Sequence, residues 1–351
     1  MGLPRIDIKF GEAVLGVLKR SRGGCVLLIL PDYDGNTEQY RVYTSAGEIN
    51  GCPQETADEI KMAFLAGASK VIAVWQDGEI SDTFSLISGM EWNWMAVPFA
   101  DAAEKASAAE FIRSAREDGK PFKAVLGCFE NADCEGIVNL ANESVTSAIL
   151  GAPEEYSAER YTACIAGLLA GTGTAGSLTG YEMTDISGAS PRTDPDADVD
   201  EGRLIIIPDG NCFRIARAVT SLVIAGDVPS SFKKIKNVEG ADLIKTDIAR
   251  IFGTLYKGRK FNNYANRQAL AADIMAYFKS IEGEVLSPDK KNTVGPDADA
   301  AREFLRSEGI DVSGKTDREI NLMNTGEKVF LKAEIALLDA MEDIEMHITL
   351  E

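Results

Sequence analysis

The chain has 351 residues, 45% of them apolar and 26% charged, and a formal net charge of −19. That is long for one hydrophobic core, so two domains are expected, in a composition typical of soluble globular proteins. The negative balance speaks against a nucleic-acid or anionic-lipid surface, both of which need basic patches, and no window approaches the roughly eighteen consecutive apolar residues of a membrane span.

The start, MGLPRIDIKF, lacks the basic-then-apolar layout of a secretion signal, and Ile6 stands where a myristoylation pattern needs Ser or Thr. Residues 1–22 read as an arm. Ile6, Ile8 and Phe10 alternate with Asp7 and Lys9, the period of a half-buried strand, and Arg5, Lys9, Lys19, Arg20 and Arg22 outweigh Asp7 and Glu12. From Gly23 the pattern becomes α/β: a strand at Val26–Leu30, a helix at Gln54–Leu65, a strand at Lys70–Trp75, a helix at Asp101–Arg116 and a strand at Phe122–Gly127. Val145–Leu150 is apolar without a clear period. A mostly apolar helix follows at Tyr161–Ala170, then a strand at Leu204–Ile207. Continuous Val/Ile/Leu strands between helices predict a parallel or mixed sheet covered on both faces. Residues 181–202, with Pro191 and Pro195 and no apolar period, read as a long exposed loop.

Beyond Asp227 helices dominate, near Glu239–Leu255, Arg267–Phe278 and Asp297–Ser307, so the second half reads as α+β with a boundary near Val228–Lys234. The last residues, from Asn324, predict a turn, a strand, an acidic link and a final strand in which Ile344, Met346, Ile348 and Leu350 alternate with Glu345, His347, Thr349 and Glu351. The C-terminal arm from Ala333 carries Glu334, Asp339, Glu342, Asp343, Glu345 and Glu351 and no Lys or Arg, opposite in sign to the N-terminal arm. Terminal strands of this kind are material for strand addition to another sheet. Exposed ion pairs contribute only about 0–1 kcal/mol each, so charge would set register and partner more than strength.

Other motifs are weaker. Cys25, Cys52, Cys128, Cys134, Cys164 and Cys212 form no CxxC pair and read as reduced thiols of a protein made in a cytoplasm. The single histidine, His347, lies on the polar face of the terminal strand, which leaves no histidine for a triad or a multi-histidine zinc site; carboxylate, Lys or Tyr chemistry stays open. Gly171-Thr-Gly-Thr-Ala-Gly176 spells a dinucleotide fingerprint but follows a helix, not a strand, so it reads as a flexible or close-packed turn. The run Asp194, Asp196, Asp198, Asp200 has Val199 and Ile205 where a calcium loop needs Gly and Glu, and reads as a solvated acidic loop. Ser and Asp residues at strand ends are expected to be turn formers, and Met90–Trp94 a packing element. Lys257, Arg259, Lys260 and Arg267, with Tyr256 and Tyr264 among them, form the densest basic segment: a solvated or intersubunit face, or a docking patch for an acidic partner.

The sequence resembles the contractile tail sheath proteins of phages and phage-tail-like bacteriocins, in the shorter form of Gram-positive hosts. The resemblance rests on MGLPRIDIKF, the arm leading to RSRGG, TACIAGLLAGT followed by SLT, GRLIIIPDGNCFRIARAVTSL, ADLIKTDIARIFGTLYKGRKFNNYANR and NTGEKVFLKAEIALLDAMEDIEMHITL, in that order. Ala218-Val-Thr220 departs from the Gly-Val-Asn of the family pattern, and the glycines of 171–176 exceed it.

The resemblance implies a subtilisin-like three-layer α/β sheath domain without the catalytic triad, joined to a C-terminal α+β domain near an inner tail tube. The corresponding divisions are an N-terminal linking arm at 1–22, the sheath domain at 23–230, the C-terminal domain at 231–340 and a linking strand at 341–351. It also implies arms that add strands to neighbouring subunits through Ile6, Ile8, Phe10, Ile344, Met346, Ile348 and Leu350. Burying those seven side chains would give at most about 10–20 kcal/mol before ordering costs. Lys257, Arg259 and Lys260, or Lys290 and Lys291, are candidate tube contacts. Expected partners are further copies of the chain, the tube protein, the baseplate and the tail terminator, in a particle assembled in the bacterial host. No cofactor, metal site, catalytic residue, nucleic-acid contact or membrane insertion is expected. The competing reading is a catalytically active α/β hydrolase, which the single histidine disfavours.

Overall fold

The computed structural model describes residues 24–226 and 228–349. Contacts divide these into two compact units, one of residues 24–239 with 339–349 and one of residues 240–338.

The larger unit is built on a mostly parallel sheet. Strand β1 (Cys25–Pro31) and the short β2 (Tyr40–Tyr43) lead to helix α1 (Gln54–Ala66), β3 (Lys70–Gln76), α2 (Ile80–Ile87), β4 (Trp94–Ala96), α3 (Ala102–Glu117), β5 (Lys123–Gly127) and β6 (Ile137–Leu140). Then come β7 (Ser144–Ser147), β8 (Glu154–Ser157), α4 (Ala158–Thr172), β9 (Ile186–Ala189), α5 (Pro195–Asp200), β10 (Arg203–Leu204) and a hairpin of β11 (Ile206–Asp209) and β12 (Cys212–Ile215). The main sheet runs β10-β6-β5-β4-β1-β3-β2, parallel except for the edge strand β2. A smaller sheet orders β8-β7-β9.

The continuous apolar strands follow from burial on both faces. Val26, Leu28 and Leu30 of β1 join one core with Ile60 and Ala63 of α1 and Tyr161, Ile165 and Leu168 of α4. Cys25, Leu27 and Ile29 point the other way, to a core with Phe84 of α2 and Ala108 and Ile112 of α3. Successive strand residues face opposite sides, so a strand with helices on both sides must be apolar throughout. The WNW segment supplies Trp92, stacked on Phe122 at 3.9 Å, and the fully buried Trp94.

Helices α1 and α4 meet at small residues. A Cβ on Gly167 would lie 2.3 Å from the Ala63 carbonyl oxygen, and one on Gly171 would lie 2.8 Å from that of Gly67. The GxGxxG stretch therefore begins as the close-packed end of α4, not as a phosphate loop. Helix α3 starts with a reciprocal cap: Asp101 accepts from the backbone of Ala103 and Glu104 while Glu104 accepts from the Asp101 amide.

Two sequence expectations are corrected here. The apolar run at Leu204–Ile207 is not one strand: Leu204 pairs with Leu140 in the main sheet, whereas Ile206 pairs with Ile215 in the hairpin. The buried Asn142 holds this switch, donating to the Ser190 and Ile206 carbonyls and accepting from the Ile206 amide at 2.7 Å. Uniform burial hides the change of hydrogen-bond partner from sequence periodicity. The stretch 181–202 is not one exposed loop either, since it contains β9 and α5. Asp198 is buried, bound by Arg192 at 2.6 and 2.7 Å and by Arg203 at 3.0 Å. The arginines hold its carboxyl below the usual carboxylate range.

In the second unit, helix α6 (Ile235–Ile251) contains the division at Glu239/Gly240. It is followed by a π-helical turn at Phe252–Tyr256, then α7 (Tyr264–Ile281), β13 (Thr293–Pro296), α8 (Ala298–Ser307), α9 (Asp317–Leu322) and β14 (Leu331–Glu334). Ile244, Ile248, Ile274, Phe278 and Ile281 form its core, with Val294 and Leu331 packed against it. Strands β13 and β14 pair antiparallel as a two-stranded sheet, Thr293 opposite Glu334.

Candidate assembly surfaces

In the larger unit, buried lysines meet carboxylates. Lys123, 1% exposed, places Nζ 3.3 Å from Glu239 Oε1, the same oxygen that accepts from Trp94 Nε1 at 2.8 Å. Lys105 donates to the Gly127 carbonyl and to Glu159. These buried cations are matched by carboxylates, as burial of charge demands. All six cysteines are free, and burial pushes Cys25 and Cys134 up to about 11 and Cys164 to about 12, far from the thiolate a nucleophile needs. At the strand ends, Asp32 accepts from Asn36 and Asp101 caps α3, so both act as turn formers. His347, the only histidine, is on the exposed tail, 91% exposed and 3.4 Å from Glu345. Among the described residues no cluster of His, Cys, Asp and Glu could hold a metal ion, and no helix is long and apolar enough to cross a membrane.

The surfaces that stand out are two. In the 240–338 unit, Gly258 takes a left-handed φ of 69° and turns the chain between α6 and α7, presenting Lys257, Arg259 and Lys260 to solvent beside Phe261, which is 87% exposed. Asn262 ties down this loop by donating to Thr325 Oγ1 and to the Gly326 and Lys328 carbonyls. Arg267 is not part of the patch: it is 5% exposed and donates to the Met323 carbonyl at 3.0 Å. A charge run in sequence could not show that one member turns inward. Lys290 and Lys291 are exposed in the turn before β13. The sheet β13-β14 has no third strand among the described residues.

The second surface is the C-terminal segment. Ile344, Met346 and Ile348 are 86%, 67% and 75% exposed, and residues 341–349 form no strand with the other described residues. Their alternation meets no sheet among the described residues. Ile6, Ile8, Phe10 and Leu350 lie outside the described residues. Upstream, Asp339, Glu342 and Asp343 are bonded to the larger unit: Asp339 to Asn237, Glu342 to Ser177 and Thr179, and Asp343 to Arg217.

No family profile matches the chain. Against a tail sheath protein of Clostridium phage phiCD119 it is 31% identical over 362 aligned positions, covering 99% of both chains. The chain belongs to the tail sheath proteins. Solved sheath structures share its fold. The sheath tail protein of Desulfitobacterium hafniense matches with a TM-score of 0.67 at 16% identity, over 84% of this chain and 94% of that one. The sheath tail protein of Listeria innocua matches with a TM-score of 0.67 at 15% identity, over 91% and 96%. The helical sheath of the anti-feeding prophage in its contracted state matches with a TM-score of 0.70 at 13% identity, over the whole of both chains. The mixed α/β architecture is thus that of contractile sheaths.

Proposed function

We propose that this sheath subunit polymerises around an inner tube and shortens to drive the tube through a target cell envelope. The full-length match to a phage tail sheath protein carries this reading. Residues 23–230 would form the outer, subtilisin-like body without a triad, acting as a structural and not a catalytic element. The division proposed is a linking arm at 1–22, this sheath domain at 23–230, an inner domain at 231–340 and a linking strand at 341–351. Ile344, Met346 and Ile348, with Leu350 and the N-terminal Ile6, Ile8 and Phe10, would add strands to neighbours. The two-stranded sheet β13-β14 offers the open edges such strands require. Lys257, Arg259 and Lys260, with Phe261 among them, would face an acidic tube surface; Lys290 and Lys291 form the second candidate contact.

Ladder hydrogen bonds would keep subunits joined while the outer bodies rotate and pack more closely. The extended state is then metastable, a bistable packing switch that needs no nucleotide. The baseplate and tail terminator would bound the polymer, which assembles in the bacterial host. Negative-stain electron microscopy of the purified chain, alone and co-expressed with the tube protein, tests this. Hollow striated tubes are expected. A compact particle that stays unassembled with the tube present would overturn the reading.

A further inference from the structure

Residues 339–343 read Asp-Ala-Met-Glu-Asp, and their side chains separate sharply by environment. Met341 is fully exposed, whereas the Glu342 side chain is only 6% exposed. Glu342 Oε1 accepts from Ser177 Oγ at 2.9 Å and from Thr179 Oγ1 at 2.8 Å. Its Oε2 is buried and makes no hydrogen bond among the described residues, with Lys234 Nζ facing it at 3.6 Å. On one side Asp339 accepts from Asn237 Nδ2 at 2.9 Å, with Lys234 Nζ at 3.5 Å. On the other, Arg217 Nη2 donates to both oxygens of Asp343, at 2.6 and 2.8 Å. The receiving residues are themselves fixed: Thr179 Oγ1 accepts from the Ala218 amide at 3.0 Å, and Ser177 Oγ accepts from the Thr179 amide at 3.1 Å.

We propose that residues 339–343 are a latch that seats the root of the C-terminal arm in a polar socket of Ser177, Thr179, Arg217, Lys234 and Asn237. The arm's apolar tip is thereby aimed at a second copy of the chain. The aiming rests on the proposal that 344–349 pairs with a neighbour; the latch itself does not. A carboxylate is buried only where donors meet it, so Glu342 specifies one seat for the segment. Contacts at 339, 342 and 343 fix direction as well as position. From residue 343 the six residues to 349 span at most about 20 Å. With the root fixed, Ile344, Met346 and Ile348 sample a small volume, which raises their effective concentration at a neighbour's sheet edge. An unlatched arm would spread the same side chains over a much larger volume, as well as expose the Glu342 carboxylate and leave Asp339 and Asp343 without their partners.

Carboxypeptidase digestion of the full chain, read by mass spectrometry, tests the latch in the free subunit. The socket is varied, not the tail, so that the peptide bonds offered to the protease stay the same. In the native chain trimming is expected to stall at 343–345. In Ser177→Ala/Arg217→Ala it should run on toward residue 338, about ten-fold faster past 343. Arg217→Ala alone, at a side chain 35% exposed, serves if the double variant does not fold. Equal trimming of native and variant chains overturns the latch, whether or not sheaths form. In tube co-expression the variant should yield several-fold fewer or shorter sheaths than the native chain. Released trimming with undiminished sheaths would overturn the aiming role, while a native chain that fails to form sheaths would count against the function proposed above.

Discussion

Glu59 of α1 is wholly buried, with Arg160 Nε donating to its Oε1 at 2.7 Å and its Oε2 left without a hydrogen bond among the described residues. Burial pushes its carboxyl up to about 8, against the pull of Arg160 and with Asp58 and Glu154 adding in the same direction. Arg160 stays cationic throughout, so the pair titrates through Glu59. The folded value lies above the unfolded one, so the protonated carboxyl's contribution is complete below about pH 4.5 and is lost as pH rises through about 8. Glu59→Gln keeps the shape and an acceptor for Arg160 but cannot ionise. Urea midpoints of both chains at pH 5, 7 and 9 should show the native chain losing stability relative to the variant, on the order of 3 kcal/mol over the range. Parallel pH profiles would show instead that Arg160 holds the carboxyl ionised at every pH. Nothing in the sequence marks Glu59: it sits among polar residues of an amphipathic helix, and only the close approach of α1 to α4 through Gly167 and Ala63 takes it out of water.

At the level of elements, the sequence was most legible where periodicity and burial agree. The expected strands at Val26–Leu30 and Lys70–Trp75 and helices at Gln54–Leu65, Asp101–Arg116 and Tyr161–Ala170 are all present with ends shifted by a few residues. Misreadings fall where a partner distant in sequence decides. Leu204–Ile207 changes sheets because Asn142 waits for Ile206, and the acidic run folds because Arg192 and Arg203 converge on Asp198. Helix α6 gives way to a π-helical turn at Phe252 instead of continuing to Leu255, with Gly253 in that turn. The exposed basic loop and the apolar alternation at 344, 346 and 348 were legible as segments, but the polar contacts that hold residues 339–343 were not. Ser177, Thr179 and Arg217 carry no pattern until the fold brings them together. Asp198→Ala would take from Arg192 its carboxylate partner in a partly closed site, while Arg203 keeps Glu201 at 2.6 Å and Glu130 at 3.2 Å. Breaking a fully buried pair costs about 3–5 kcal/mol, and because Arg192 and Arg203 are each 22% exposed and can turn toward water, a loss of roughly 2–4 kcal/mol is expected. Asp196→Ala and Asp200→Ala, at exposed positions, should change stability by no more than about 0.5 kcal/mol. Denaturant unfolding, with trypsin cleavage within 190–203 as a local readout, separates the two classes; equal effects would mean that the aspartates act as one solvated cluster.

For the whole molecule the governing quantity is the net charge of −19 carried by a chain that must stack on copies of itself. The proposed assembly implies two electrostatic effects of opposite sign. Subunit bodies repel, which opposes polymerisation, while the exposed cations Lys257, Arg259 and Lys260 would attract an acidic tube, which favours nucleation on it. Salt weakens both: the screening length falls from about 10 Å at 0.1 M to about 3 Å at 1 M. They differ in how they enter the kinetics. Repulsion acts at every subunit addition and involves the summed charge, whereas tube attraction involves a few cations in one loop. Light scattering of the subunit without tube, between 0.05 and 0.5 M NaCl, should therefore show growth accelerating several-fold with salt. With tube present the acceleration should be smaller, and Lys257→Ala/Lys260→Ala should restore most of the salt dependence seen without tube by removing the opposing attraction. Growth without tube that slows as salt rises would mean that complementary charge between the basic N-terminal and acidic C-terminal arms, and not repulsion between bodies, limits the rate. In that case the same experiment on the Ser177→Ala/Arg217→Ala variant would show whether the free arm has to be presented by its latch before that charge can act.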